Sequence, residues 1–280
     1  MTTSGPRAFV VGWPIGQSRS PLIHGHWLRA HGLAGSYERI AIPPEEIETF
    51  LGKLPSLGFV GGNVTVPHKE AAFRLAAERD AVAEATGAVN TLWIDGGKHF
   101  GANTDAPGFL ANLDDRSAGW DRDPGVAVVL GAGGAASAVA WGLKARGFAV
   151  RLVNRTLARA ETLAARLGAG VTAHGWDEVA KLLPDAGLLV NTTSLGMTGK
   201  DDLTLDLAPL RAGTLVTDIV YVPLETPLLA AARARGLPTV DGLGMLLHQA
   251  VPGFERWFGV RPSVTPELRR LILADLGVSE

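Results

Sequence analysis

Apolar residues along the chain fall into short runs separated by longer amphipathic stretches. Residues 8–11 and 59–65 read as strands, and residues 37–42 alternate apolar and polar positions as a half-buried strand does. Residues 88–94 and 98–101 form two further runs, and Asp95-Gly96-Gly97 between them predicts a hairpin. Helical patterns are expected from Pro21 to about His31, from Pro43-Pro44 to about Lys53, and roughly over residues 70–85. Past residue 125 the rhythm changes. Strands are predicted at residues 126–130, 149–153, near Val171, and at 188–191, 215–220 and 239–240. Helical patterns lie between them at residues 135–145 and 157–167 and after Pro227. Strands alternating with helices predict an α/β protein with a parallel sheet covered on both faces. Ligands bind such sheets at the carboxyl ends of the strands. A helix from about Met245 and another over residues 265–276 close the chain.

One junction in that alternation carries chemistry. The strand at residues 126–130 runs into Gly131-Ala132-Gly133-Gly134-Ala135-Ala136, then a helix of small and apolar residues. Gly131, Gly133 and Ala136 fit the G-x-G-x-x-A spacing of a dinucleotide turn. Gly131 permits the tight turn, Gly133 lets backbone approach a pyrophosphate, and Ala136 lets helix and strand pack closely. The helix N-terminus offers N–H groups to the phosphates. The next strand ends in Asn154-Arg155-Thr156, with Arg159 one helical turn on. An NAD site carries an acid there for the ribose hydroxyls. A guanidinium instead suits a 2′-phosphate, so the expected cofactor is NADP. Solvated surface arginines are the alternative.

The first part of the chain offers polar side chains at strand ends. Ser18 and Ser20 stand two apart at a strand-to-helix turn. There they suit a small carboxylate, although Ser20 also reads as a helix N-cap. Asn63 and Thr65 share one side of their strand, and Lys69 opens the next helix. A cation in a first turn is opposed by the helix dipole, which hints at a use for it. Asp105 precedes a helix and reads as its N-cap when taken alone.

Composition narrows the classes. The 280 residues suggest two domains, and 46% are hydrophobic, enough for a sizeable core. A net charge of −2 gives no reason to expect nucleic acid or an anionic membrane as partner. With no cysteine there is no disulfide, thiolate nucleophile or thiolate-bound metal. His24 and His26 cannot share a helical face, so no metal is expected. The start has no long apolar segment, and the expected location is the cytoplasm.

The chain resembles the shikimate dehydrogenase family over nearly its whole length. The motifs are PIGQSRSP, NVTVPHK, GAVNTL, GANTDAPGF, GAGGAA with NRT, and DGLGMLLHQA, in that order. The resemblance implies an N-terminal α/β substrate domain over residues 1–106, completed by C-terminal helices at 244–280. It implies a Rossmann NADP-binding domain at residues 107–243. Lys69 and Asp105 match the family's catalytic pair, and Ser18 and Ser20 its carboxylate-binding serines. Thr65, Asn90 and Gln249 match the binders of ring hydroxyls, and Tyr221 a tyrosine near the carboxylate. Gly131 to Ala135 match the pyrophosphate loop. Asn154, Arg155, Thr156 and Arg159 match the 2′-phosphate site, and Ile219, Gly242 and Met245 the residues flanking the nicotinamide. Gln17 stands where many members have histidine, and Ala106-Pro107 where glycine is usual. The implied activity is reversible reduction of 3-dehydroshikimate by NADPH, in a monomer or homodimer. A quinate-preferring enzyme, a non-catalytic NADP sensor and an interaction protein are the alternatives.

Overall fold

The structure, a computed structural model, describes residues 5–278. The chain divides into two compact units. The first runs up to Thr104 and resumes at Gln249, and the second is Asp105–His248.

The first unit is built on strands β1 (Arg7–Gly12), β2 (Ser36–Ala41) and β3 (Phe59–Val64), with helices α1 (Ser20–Ala30) and α2 (Ile47–Gly52) between them. Helix α3 (Lys69–Leu75), strand β4 (Glu78–Arg79) and helix α4 (Ala81–Thr86) follow, then strands β5 (Thr91–Asp95) and β6 (Lys98–Ala102). The sheet order is β2-β1-β3-β5-β6-β4. Strands β2, β1 and β3 are parallel, while β3, β5 and β6 pair antiparallel. Gly96 and Gly97 form the hairpin turn with φ of +53° and +76°, the left-handed pair that matches the twist of the flanking strands. Phe9, Val11, Leu51, Leu54, Val64 and Leu92 fill the space beneath the sheet. Each large side chain so buried contributes about 1.5–3 kcal/mol.

The helical patterns expected over residues 70–85 are two helices, with the short strand β4 between them. Arg79 folds back to donate from Nη1 to the carbonyls of Phe73 and Ala76, both at 3.0 Å, closing the end of α3. Asp80 then accepts from the Ala83 N–H at 2.7 Å and starts α4.

The second unit opens with α5 (Asp105–Arg116) and continues β7 (Val126–Leu130), α6 (Gly134–Ala145), β8 (Ala149–Asn154), α7 (Leu157–Leu167) and β9 (Val171–Gly175). Helix α8 (Val179–Leu182), strands β10 (Ala186–Asn191) and β11 (Leu215–Asp218), helix α9 (Pro227–Ala234), strand β12 (Thr239–Val240) and helix α10 (Leu243–His248) complete it. All neighbouring strands are parallel, in the order β12-β11-β10-β7-β8-β9. Numbered within the unit this is 3-2-1-4-5-6 read from β9, the doubly wound order of dinucleotide-binding sheets. The order reverses between β7 and β10, and there the crevice for a ligand opens.

Helices α11 (Val251–Phe258) and α12 (Pro266–Asp275) belong to the first unit. The closing helix expected from Met245 is thus broken at Gln249-Ala250, with Pro252 fitted into the first turn of α11. Trp257 on α11 donates from Nε1 to the Leu92 carbonyl at 2.9 Å, and Trp27 on α1 to Ser263 at 3.1 Å. These bonds fasten the returning segment to the sheet.

Candidate active site

The glycine turn after β7 is shaped for a phosphate. Gly131 has φ +112°, and a Cβ there would lie 2.7 Å from Thr192 Oγ1. Thr192, just past β10, donates from Oγ1 to the Leu130 carbonyl at 2.6 Å and from its N–H at 2.9 Å. The two strand ends at the reversal point are therefore tied together. Gly133 caps α6 without a side-chain bond, and a Cβ on Gly133 or Gly134 would meet nothing within 4 Å. Ala132 and Ala135 flank this opening half-buried, and Ala136 is fully buried against the strand side. With no acid in its first turn, α6 presents N–H groups and the positive end of its dipole to that space.

Beside it, β8 ends at Asn154, whose Nδ2 donates to the Thr156 carbonyl at 2.9 Å. Thr156 caps α7 without using its side chain. Arg155 and Arg159 are exposed, and no described residue forms a hydrogen bond or ion pair with either guanidinium. Arg151, on the same strand, is paired with Asp185 at 3.0 Å. Two cations without counter-ions at the end of the second strand, next to an open helix N-terminus, fit a dinucleotide with an extra phosphate.

The third wall is set by buried polar groups. Asp218, at the end of β11, accepts from Asn191 Nδ2 and the Val220 N–H, both at 2.9 Å, and from Thr226 Oγ1 at 2.8 Å. Burial pushes its carboxyl pKa up, against these three donors. The bonds hold the loop carrying Ile219 and Tyr221, which are both half-buried. Gly242 lies so close that a Cβ would overlap the Ile219 carbonyl and stand 2.7 Å from the Asp218 carbonyl. The structure thus brings Ile219 and Gly242 together, with Met245 buried one turn into α10.

In the first unit Ser18, Ser20 and Asn90 share one polar network. Ser18 Oγ donates to Ser20 Oγ at 3.3 Å. The expectation that Ser20 caps α1 is corrected. Arg19 already has helical angles and stands at the cap without a side-chain bond, while Ser20 is the first helical residue and buried. The Ser20 hydroxyl faces Ser18 and Tyr37 instead. Tyr37 donates to Asn63 Oδ1 at 2.6 Å, and Asn63 Nδ2 donates to the Asn90 carbonyl at 3.2 Å and to Thr91 Oγ1 at 3.1 Å. Burial pushes the Tyr37 pKa well above its ordinary value, opposed by Ser20 and Asn63, so the hydroxyl keeps its proton. Asn90 Oδ1 accepts from Thr91 Oγ1, the Thr104 N–H and Thr104 Oγ1 at 3.0, 2.8 and 3.1 Å. This turns the Asn90 amide nitrogen away from Thr104.

Backbone bonds gather the rest. The Val89 N–H donates to the Lys69 carbonyl at 3.0 Å, the Val64 N–H to the Asn90 carbonyl at 2.8 Å, and the His68 N–H to the Thr65 carbonyl at 2.9 Å. Thr65, Lys69 and Asn90 therefore lie on adjoining segments. Lys69 is the first residue of α3, and half-buried. Gln249 is the first residue of the returning segment. Asp105, 9% exposed, is the first helical residue of α5 and follows directly on Thr104. Sequence reasoning did not single out Tyr37, Thr91 or Thr104, which bond to partners 13 to 28 positions away. Among the described residues no cluster of His, Asp or Glu could hold a metal ion, and no helix is long and apolar enough to cross a membrane.

Comparison with known proteins matches three family models in chain order. Residues 10–92 match the shikimate dehydrogenase substrate binding domain, residues 122–201 the shikimate/quinate 5-dehydrogenase model, and residues 242–266 the shikimate 5′-dehydrogenase C-terminal domain. A shikimate dehydrogenase (NADP(+)) of Mesorhizobium japonicum is 63% identical over 277 residues, 99% of both chains. One of Azorhizobium caulinodans is 59% identical over 96% of both. Among solved structures, shikimate 5-dehydrogenase of Thermus thermophilus in complex with NADP(H) and shikimate is similar with a TM-score of 0.84, at 36% identity over 95% of this chain and 99% of that one. Quinate dehydrogenase of Corynebacterium glutamicum in complex with NAD is similar with a TM-score of 0.88, at 32% identity over 96% and 99%.

Proposed function

The chain belongs to the shikimate dehydrogenase family, and from that premise we propose how its residues carry the reaction. It is an NADP-dependent oxidoreductase acting on a CH–OH group, reducing 3-dehydroshikimate reversibly to shikimate in aromatic amino acid biosynthesis. The observation that carries this is a full-length match at high identity to enzymes of that one activity.

The bound cofactor supplies or accepts the hydride. Gly131 to Ala135 hold its pyrophosphate, and Asn154, Arg155, Thr156 and Arg159 its 2′-phosphate. Ile219, Gly242 and Met245 border the nicotinamide. The two unpaired guanidiniums support the choice of NADP over NAD. Ser18 and Ser20 take the substrate carboxylate with Tyr221 nearby, and Thr65, Asn90 and Gln249 take the ring hydroxyls. A pocket of hydroxyl and amide partners discriminates strongly against analogues that lack a hydroxyl. Hydride delivery to a ketone carbon leaves an alkoxide. Lys69 provides its proton in reduction and takes it back in oxidation, while Asp105 holds the ammonium and a ring hydroxyl. The substrate domain comprises residues 1–106 with 244–280, and the NADP domain residues 107–243. The enzyme works in the cytoplasm as a monomer or homodimer, without nucleic acid or membrane partners.

Rates with shikimate and quinate, each with NADP and NAD, test the reading. Shikimate with NADP is expected to be fastest. Arg155→Ala is expected to raise KM for NADP about tenfold and leave NAD nearly unaffected, as loss of a charge-assisted bond implies. Preference for quinate with NAD, or equal losses with both cofactors in Arg155→Ala, would refute the substrate or cofactor assignment respectively.

A further inference from the structure

The serine pair sits where an exposed loop enters α1. Trp13, Pro14, Gly16 and Gln17 are exposed. The loop's backbone is tied by the Trp13 N–H to the Val66 carbonyl at 3.1 Å and the Ser18 N–H to the Ile15 carbonyl at 3.0 Å, by the side chains of Gln17 and Arg19 to the Pro14 and Gln17 carbonyls, and Arg19 pairs with Asp275 at 3.1 Å. One side chain from elsewhere in the fold grips it where the serines begin. Arg39, on the edge strand β2, donates to the Ser18 carbonyl oxygen from Nε at 2.8 Å and from Nη2 at 2.6 Å. Both lone pairs of that oxygen are then used. The Ser18–Arg19 peptide is held by a rigid planar fork, and with it the direction of the serine hydroxyls. Arg39 also lacks what several other surface arginines have. Arg7 pairs with Glu38, Arg74 with Glu48 and Arg151 with Asp185, whereas no described carboxylate pairs with Arg39. Its charge stands uncompensated at the Ser18 carbonyl.

We propose that Arg39 is a positioning residue for the carboxylate subsite, locking the Ser18 peptide and lending positive charge to a carboxylate held by Ser18 and Ser20. This rests on the reading of that serine pair as the carboxylate site. The two roles separate on substitution. Methionine at position 39 removes both the fork and the charge, whereas lysine keeps the charge and loses the fork. Arg39 is exposed, so neither change disturbs the core.

The experiment measures steady-state shikimate oxidation with NADP for the wild type, Arg39→Met, Arg39→Lys and Ser18→Ala, each checked for native circular dichroism. Arg39→Met is expected to raise KM for shikimate about tenfold, with kcat within about threefold and KM for NADP unchanged. Arg39→Lys is expected to fall between it and the wild type. KM of the wild type is expected to climb between about 0.02 and 0.2 M salt, and that of Arg39→Met to stay nearly flat, because screening acts on the missing charge. If Ser18→Ala raises KM while Arg39→Met leaves it and its salt dependence at wild-type values, the role of Arg39 is overturned and the serine reading stands. If Ser18→Ala also leaves KM unchanged, the serine reading itself fails. Equal damage to both KM values and kcat in Arg39→Met would mark a general disruption of the fold and overturn the proposal too. Should Arg39→Met not fold, Arg39→Lys decides, with an unchanged KM counting against the proposal.

Discussion

At the scale of single residues, the chemistry turns on the fate of one proton. The chain has no cysteine, and the polar network of the first unit ends in amides and hydroxyls that titrate far from neutrality. Lys69 follows directly on the strand end that carries Asn63 and Thr65, on the segment bonded to residues 89–90. Replacing it with alanine is therefore expected to lower kcat by roughly 10²–10⁴, whether it acts as acid–base group or only stabilises the oxyanion. Binding of NADP, followed by fluorescence, is expected to persist. The pH profile separates the two roles. An acid–base lysine gives a titration of kcat that vanishes in the alanine variant, whereas an oxyanion stabiliser leaves the profile shape unchanged. Near-normal kcat in folded Lys69→Ala would refute both.

At the scale of elements, the second unit was far more legible than the first. A parallel strand buried on both faces is apolar, so the central strands of the second unit show in the sequence as short, mostly apolar runs, while the edge strand β9, with Thr172 and His174, does not. The chemistry sits at the runs' ends, where Gly131, Asn154 and Asp218 stand. The first unit hides more. Residues 69–86 have helix-forming composition throughout, and the break at Ala76 comes from Arg79 and Asp80 bonding to backbone, which no periodicity encodes. The shift of the α1 cap from Ser20 to Arg19 is of the same kind, since Ser20 finds Ser18 and Tyr37 as partners instead. The network through Tyr37, Asn63, Thr91 and Thr104 needs strand pairings to exist before its partners meet. One element-scale consequence is measurable. At Gly131 the left-handed φ and the approach of Thr192 both exclude a side chain. Gly131→Ala is expected to cost more than about 1 kcal/mol, lowering Tm by a few degrees. It should also weaken NADP binding while leaving KM for shikimate unaffected. An unchanged Tm and an unchanged KM for NADP would show that the turn tolerates another path.

At the scale of the whole molecule, stability and pH are linked through groups buried away from the chemistry. His24 is fully buried, stacked on Tyr37 at 4.0 Å and edge-on to Trp27 at 5.7 Å. Neither ring nitrogen has a hydrogen-bond partner among the described residues. Burial lowers its pKa from 6.5 to about 3, opposed by the nearby Asn63 side chain. His248 is lowered too, mainly by burial and against the pull of Asp115. In the unfolded chain both imidazoles take up protons below about pH 6.5, whereas in the folded chain they do so only at lower pH. Stability is therefore full above pH 6.5 and falls as pH drops toward the folded values, by at most about 1.4 kcal/mol per pH unit for each histidine. Asp80 and Asp218 work the other way. Burial raises both, so the folded chain binds their protons at higher pH than the unfolded chain does, which offsets part of the loss as pH falls. Between about pH 6 and pH 5 the two histidines thus steepen the loss. His24→Phe keeps the aromatic packing and forfeits no hydrogen bond, so it is expected to fold and to be more acid-resistant. Urea unfolding followed by tryptophan fluorescence should show its stability falling less steeply over that interval, by up to about 1.4 kcal/mol per pH unit. A wild-type slope in His24→Phe would mean that the buried ring accepts its proton in the folded state, and that the aromatic cluster around it admits water.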